Sequence, residues 1–197
     1  MGCIQSHITS KQDTEQNKQK PDKIIFKGFT YENTPEFNEM FNGKIMVGRV
    51  VDIYDGDTIT CVINIYGSNY LFHIRLGDID TCEMKSKNDK VKELASKARR
   101  RMYQLITKTE SKSKSDINVK VSRKDLRNIL QLDIYLVNIL CGPLDKYGRL
   151  LGWIYDISDT SCHKSNSYNH KLIDEKLAYE YSGDTKLSEL EQIKLLS

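Results

Sequence analysis

Three strand-like stretches lie so close together that no helix fits between them, and this spacing restricts the fold more than any other feature. Residues 44–54 (KIMVGRVVDIY) are rich in Ile and Val. Residues 58–66 alternate, with Ile59, Cys61, Ile63 and Ile65 on one side and Thr58, Thr60 and Asn64 on the other. Gly67-Ser68-Asn69 supplies turn chemistry before a third run at 70–76. Parallel neighbours would need a crossover of about a dozen residues or more. The three stretches therefore predict an antiparallel meander, and an open parallel sheet is disfavoured.

Downstream, Leu94, Ala98, Met102 and Leu105 recur at helical spacing, with Glu93, Lys97, Arg99 and Arg100 off that stripe. Residues 107–118 read as a surface loop and 122–130 as a short helix. A fourth strand is expected at 132–140, ended by Gly142-Pro143, and a fifth at 150–155. Residues 158–169 form a polar loop, and 170–179 and 186–196 show helical spacing. Five short strands, with a helix inserted before the fourth and helices at the end, predict an α+β domain: a small closed barrel with helices packed on it. Residues 1–23 are polar and read as a flexible tail, 24–43 as an aromatic connector, and 44–197 as the domain.

A chain of 197 residues suits one such domain with an appended segment. The formal net charge of +3 excludes a globally basic, histone-like partner mode. It conceals an asymmetry, because residues 85–127 hold fifteen Lys and Arg against five Asp and Glu, a local +10 that leaves −7 elsewhere. Segregated charge of this kind suits a polyanion, and it equally suits a solvated helix and loop. Five scattered cysteines without a CxxC pair suggest neither a disulfide framework nor a zinc site, hence a reducing compartment. No run approaches the roughly 18 apolar residues of a membrane span, and the N-terminus has no signal-peptide core.

Chemistry concentrates in three places. Asp55-Gly56-Asp57-Thr58 sets acidic oxygens beside a glycine between two strands. Alone it is also an ordinary hairpin signal, and it does not satisfy the EF-hand pattern. Arg75, Asp80, Thr81 and Glu83 crowd the end of the third strand. Two carboxylates with a carbonyl and waters suit Ca²⁺ or Mg²⁺, and a further carboxylate could handle a water. The same residues could be an acidic strand end balanced by Arg75. Asp145-Lys146-Tyr147-Gly148-Arg149 forms a tight turn presenting two cations and a phenol, which suits a phosphodiester.

In this order and spacing, the three segments resemble the staphylococcal nuclease (thermonuclease) family, whose signatures are Asp-Gly-Asp-Thr, Arg-x4-Asp-Thr-x-Glu and Asp-Lys-Tyr-Gly-Arg. The resemblance runs from about Lys44 to the C-terminus and implies a five-stranded OB-type barrel with about three packed helices. It implies one Ca²⁺ ion held by Asp57, Asp80 and the carbonyl of Thr81. Glu83 would orient or deprotonate the attacking water, and Arg75 and Arg149 would hold the phosphate and stabilise its five-coordinate transition state. Lys146 and Tyr147 would contact a neighbouring phosphate, and Tyr179 or Tyr181 would stack on a base. The implied reaction cleaves DNA or RNA at the 5′ P–O bond and leaves 3′-phosphate ends. A catalytically weak nucleic-acid- or protein-binding module of the same fold is the alternative, and a lipid-anchored scaffold a third reading. Two departures stand out. Cys82 replaces the family's usual proline and would loosen the loop carrying Glu83, and the segment 107–130 is longer and more basic than in compact members. Lys112, Lys114, Arg123 and Lys124 would make that segment a nucleic-acid-binding arm.

Met1-Gly2-Cys3-Ile4-Gln5-Ser6 fits the pattern for myristoylation of Gly2, with Cys3 a candidate for palmitoylation. One acyl chain anchors only reversibly, and the tail through Lys23 carries just +1, so the second acyl chain is the needed second signal. The expectation is a monomer on the cytoplasmic face of a membrane, the plasma membrane foremost, with nucleic acid as substrate. Without acylation it would be cytoplasmic, and no protein partner is implied.

Overall fold

Strands β1 (Ile45–Ile53), β2 (Thr58–Ile65) and β3 (Ser68–Leu76) follow one another antiparallel, as their patterns require. The computed structural model describes residues 26–109 and 122–197. Leu76 leads into a two-residue strand, β4 (Ile79–Asp80), and then into helix α1 (Asp89–Thr107). Asn88 caps α1 by accepting the Lys90 N–H at 3.0 Å, which satisfies a donor that the helix start leaves unpaired. Helix α2 (Arg123–Leu132) precedes β5 (Leu136–Leu144) and β6 (Leu150–Asp156). Helix α3 (Tyr168–Asp174), strand β7 (Tyr179–Glu180) and helix α4 (Glu189–Leu196) complete the domain.

The five long strands close into a barrel in the order β1-β2-β3-β6-β5. Closure requires β3 to pair with β6 in parallel, the remaining pairs being antiparallel. Val50, Ile59, Cys61, Ile63, Ile74, Val137, Ile139, Leu150 and Ile154 fill its interior. The expected α+β barrel with packed helices is the fold observed. A smaller apolar cluster lies outside the barrel, where Val91, Leu94 and Ala95 of α1 meet Leu196 of α4, Tyr179 and Cys82.

Three local expectations need correction. Leu132 ends α2 and does not begin a strand; β5 starts four residues later. Gly142-Pro143 does not terminate β5: the strand runs through it, with its register to β6 shifted between Cys141 and Leu144. A bulge of this type tolerates proline because the ladder is already interrupted. Helix α3 stops at Asp174 and the chain turns at Lys176 (φ 55°), so Tyr179 lies in a strand paired with Asp80.

The described residues fall into two units, 26–34 and Pro35–Ser197. In the first, Asn33 accepts the Thr30 N–H at 2.7 Å and donates to the Gly28 carbonyl at 2.8 Å, closing a local turn. In the second, Phe41 is buried in the barrel core, and Gly43 N–H donates to the Cys141 carbonyl at 2.8 Å. The acylation pattern at Gly2 and Cys3 lies outside the described residues, as do Lys112 and Lys114.

Candidate functional site

Pairing of β2 with β3 sets Thr58 opposite Arg75, which brings Asp57 to the Arg75 end of the sheet. The Asp57 carbonyl accepts the Leu76 N–H at 2.8 Å and so fixes the loop's backbone to the strand end. Gly56 lets this loop press against α1: a Cβ there would stand 2.6 Å from Ala98 Cβ and 2.9 Å from Thr81 Cγ2. Glycine is required here by close approach.

Arg75 is 8% exposed and bridges two carboxylates, Asp57 at 3.2 Å through Nη1 and Asp80 at 2.7 Å through Nη2. Asp57 and Asp80 are themselves buried, at 6% and 1% exposure. Thr81 holds Asp57 Oδ2 by its N–H at 2.9 Å and its hydroxyl at 3.0 Å, while the Thr58 hydroxyl donates to Oδ1 at 3.1 Å. Buried charge persists only when paired in this way. Burial, together with the charge of Asp57, raises the Asp80 carboxyl, and hydrogen bonds from Tyr179 and Lys186 pull against that rise.

Tyr179 departs from the expectation of a base-stacking ring. It is 4% exposed, packs in the α1–α4 cluster, and donates its hydroxyl to Asp80 Oδ2 at 2.6 Å. Burial first, and then the bond to Asp80, raise its phenol. Tyr181 is half-buried, with its hydroxyl on the Asp184 carbonyl at 2.8 Å. Cys82 follows Thr81 in the same loop. Its side chain is buried in the α1–α4 cluster and anchors the backbone between Thr81 and Glu83.

Glu83 is exposed, and Lys186 connects it to the cluster: Nζ lies 3.0 Å from Glu83 Oε1 and 3.1 Å from Asp80 Oδ1. Nothing local in the sequence singles out Lys186, which sits 103 residues from Glu83. Burial pulls the Lys186 ammonium down, but its bonds to Glu83 and Asp80 outweigh this and raise it.

The turn between β5 and β6 forms a second group. Asp145 Oδ1 accepts the N–H of Tyr147 and of Arg149, both at 2.9 Å, while Oδ2 takes Arg149 Nε at 2.7 Å. The guanidinium of Arg149 and the ammonium of Lys146 lie 5.6 and 5.2 Å from the centroid of the Tyr147 ring, which is 73% exposed. Pairing of β3 with β6 matches Ile74 with Leu150 and Arg75 with Leu151. Arg149 is thus one residue ahead of a strand that runs beside Arg75. The structure joins Asp57, Arg75, Asp80 and Thr81 by direct bonds and links Glu83 through Lys186. Arg149, Tyr147 and Lys146 stay in their own turn.

Arg123, expected in a basic arm, is committed elsewhere. It and Arg127 clasp the buried carboxylate of Asp52 on β1, and Arg123 stacks 4.5 Å from the centroid of Tyr54. These pairs and the buried side chains of Leu126 and Leu130 together hold α2 against β1.

A hard divalent cation prefers carboxylate and carbonyl oxygens. Asp57 and Asp80 offer them at one buried point, where three carboxylates, counting Glu83, meet two cations, Arg75 and Lys186. That excess of negative charge fits a cation. Among the described residues no group of three or more His, Cys, Asp or Glu is arranged to hold a metal, so a cation here would rest on this two-carboxylate set.

Asp55 carries a consequence for stability. Burial, and then the charge of Asp57, raise its carboxyl to about 7 from 3.8. Between those values the folded protein keeps a proton that the unfolded chain releases, so stability falls as pH rises through the window. In chelator, urea titrations are expected to show such a decline between roughly pH 4.5 and 7.5, with an upper bound of about 4 kcal/mol from Asp55. Asp55→Asn should flatten the profile. An equally steep decline in that variant would refute the assignment.

The family model described as Staphylococcal nuclease homologue matches residues 73–196, more than half of the chain. No curated protein matches the chain. The matched stretch begins at His73 and so includes Arg75, Asp80, Thr81, Glu83 and the 145–149 turn. Asp57 precedes it, and the bonds from Arg75 and Thr81 tie it to the matched residues.

Proposed function

Because this chain belongs to the family of staphylococcal nuclease homologues, we propose that it is a Ca²⁺-dependent phosphodiesterase that cleaves DNA or RNA. The observation that carries this reading is the Arg75 bridge between two buried carboxylates, beside Thr81 and one turn of chain from Glu83. A buried pair of acids sharing one guanidinium is costly for stability alone, and such arrangements recur where chemistry needs them.

Asp57, Asp80 and the carbonyl of Thr81 would hold the ion. Bound there, Ca²⁺ would supply positive charge against a phosphate oxygen and lower the pKa of a water. Glu83 would position that water or take its proton as the water oxygen attacks phosphorus. Arg149 would neutralise charge on the five-coordinate phosphate as a two-pronged donor, and Arg75 would add positive charge from its place between Asp57 and Asp80. The P–O5′ bond then breaks, the leaving oxygen gains a proton, and a 3′-phosphate remains. Lys146 and Tyr147 would engage an adjacent phosphate, and Tyr181 is the remaining candidate for a base.

The test is digestion of single-stranded DNA and of RNA by the full chain with Ca²⁺, with Mg²⁺ and with chelator, followed by analysis of the ends. Ca²⁺-dependent cleavage to 3′-phosphates supports the reading. Binding without cleavage under every condition would transfer it to the nucleic-acid-binding module. No described helix is long and apolar enough to cross a membrane, and the motif at Gly2 and Cys3 would instead tether the enzyme to the cytoplasmic face by acylation. Gly2→Ala is expected to release the protein to the soluble fraction of a eukaryotic cell. A variant that stays on membranes would count against acylation.

A further inference from the structure

We propose that Lys186 competes with a divalent cation for Asp80 and Glu83, a positioning residue whose ammonium must leave both carboxylates before the ion can bind. This inference rests on the Ca²⁺-dependent reading above.

The geometry supports it at three points. First, Lys186 touches a carboxylate expected to bind the ion and the carboxylate expected to handle water, at 3.1 and 3.0 Å. An ammonium and a metal ion cannot both occupy that contact on Asp80 Oδ1, which Arg75 also shares at 2.7 Å. Second, the charge balances. With Arg75 and Lys186 in place, the three carboxylates leave one negative charge uncompensated. When Lys186 withdraws, two remain, which matches one divalent cation.

Third, the side chain can move while its backbone stays fixed. The Lys186 side chain is 46% exposed, so withdrawal leads it into water. Its neighbour Leu187 packs against the α1–α4 cluster and receives a 2.8 Å hydrogen bond on its carbonyl from Gln192. On the other side, Ser182 bonds Asp184 at 2.6 Å and Tyr181 holds the Asp184 carbonyl. The anchored loop keeps Lys186 within reach, so Ca²⁺ binding becomes an exchange of one cation for another. Glu83, freed from its ammonium partner, is then available to a water.

The decisive measurement is the Ca²⁺ dissociation constant of the full chain by titration calorimetry, for wild type, Lys186→Met and Lys186→Arg. Removing the charge is expected to tighten Ca²⁺ binding about tenfold or more, since one pair of unit charges near 3 Å is worth a factor of about ten even at the dielectric constant of water. The Ca²⁺-induced rise in melting temperature should grow correspondingly, while Lys186→Arg, which retains the charge, should bind within about threefold of wild type. A merely structural ion pair would lower the melting temperature without moving the Ca²⁺ constant. If wild type binds Ca²⁺ and cleaves while folded Lys186→Met binds no more tightly, the exchange is overturned and the nuclease reading stands. If no variant binds Ca²⁺, both fall together.

Discussion

Single-turnover cleavage by Glu83→Ala, and separately by Arg149→Ala, is expected to be slower than wild type by about 10²- to 10⁴-fold, the usual worth of a general base or of a transition-state charge partner. Neither change should unfold the protein. Glu83 is exposed and pairs only with the half-exposed Lys186, and Arg149 pairs with Asp145 in a surface turn. Pairs of this kind contribute about 1 kcal/mol or less. Melting curves measured beside the rates therefore separate lost chemistry from lost structure. Arg149→Lys should recover only part of the rate, because a lysine supplies charge without the two-pronged fork. Near-wild-type cleavage by Glu83→Ala would remove the proposed water-handling role and point to another base.

The second large effect is on stability. Arg75→Ala strands Asp57 and Asp80, both buried and both bridged by that guanidinium, in a barrel mouth with little water access. Breaking a buried pair by removing one partner typically costs about 3–5 kcal/mol. For a domain of this size, that corresponds to a melting temperature lowered by roughly 6–20 °C. The loss should be smaller in the double variant Arg75→Ala/Asp80→Asn, which also removes one of the stranded charges. Saturating Ca²⁺ should restore part of it, since a cation on the same carboxylates replaces the missing charge and stabilises by mass action. If Arg75→Ala melts within 2 °C of wild type in chelator, the bridge is not a structural necessity.

The way these effects are distributed reflects how the site is built. The stabilising contacts, Arg75 with its two acids and Tyr179 on Asp80, are buried. Of the residues proposed for chemistry, Glu83 and Arg149 lie at the more exposed rim with partners they can release, whereas Arg75 also forms the buried bridge. Activity can therefore be lost without stability at Glu83 and Arg149, and the two are lost together at Arg75.

Much of this was legible in the residues. Alternation at 58–66 placed β2, and Gly67 lies in the turn that follows. The two-residue connection is Tyr66-Gly67, however, and Ser68 and Asn69 already pair within β3; that register sets Thr58 opposite Arg75. Of the residues singled out, Asp57, Arg75, Asp80 and Thr81 meet at the strand end, Glu83 joins them through Lys186, and Arg149 stays in its own turn. The errors came where local pattern and tertiary demand disagreed. Tyr179 lies in a helix-like stretch, yet Lys176 turns the chain and β7 pairs with β4, so the ring is drawn under α1. Gly142-Pro143 looked like a stop, yet barrel closure required β5 to continue to Leu144 through a bulge.

The sequence by itself determined the meander and the helix stripe, because periodicity and turn chemistry act within a few residues of chain, and the resemblance of its motifs marked the candidate acids and arginines. Tertiary structure alone decided which charges meet. Lys186 reaches Glu83 across 103 residues and Arg123 reaches Asp52 across 71, on contacts near 3 Å. Coulombic and hydrogen-bond energies at that range depend on ångström-level placement by barrel closure and helix packing, which no local pattern encodes.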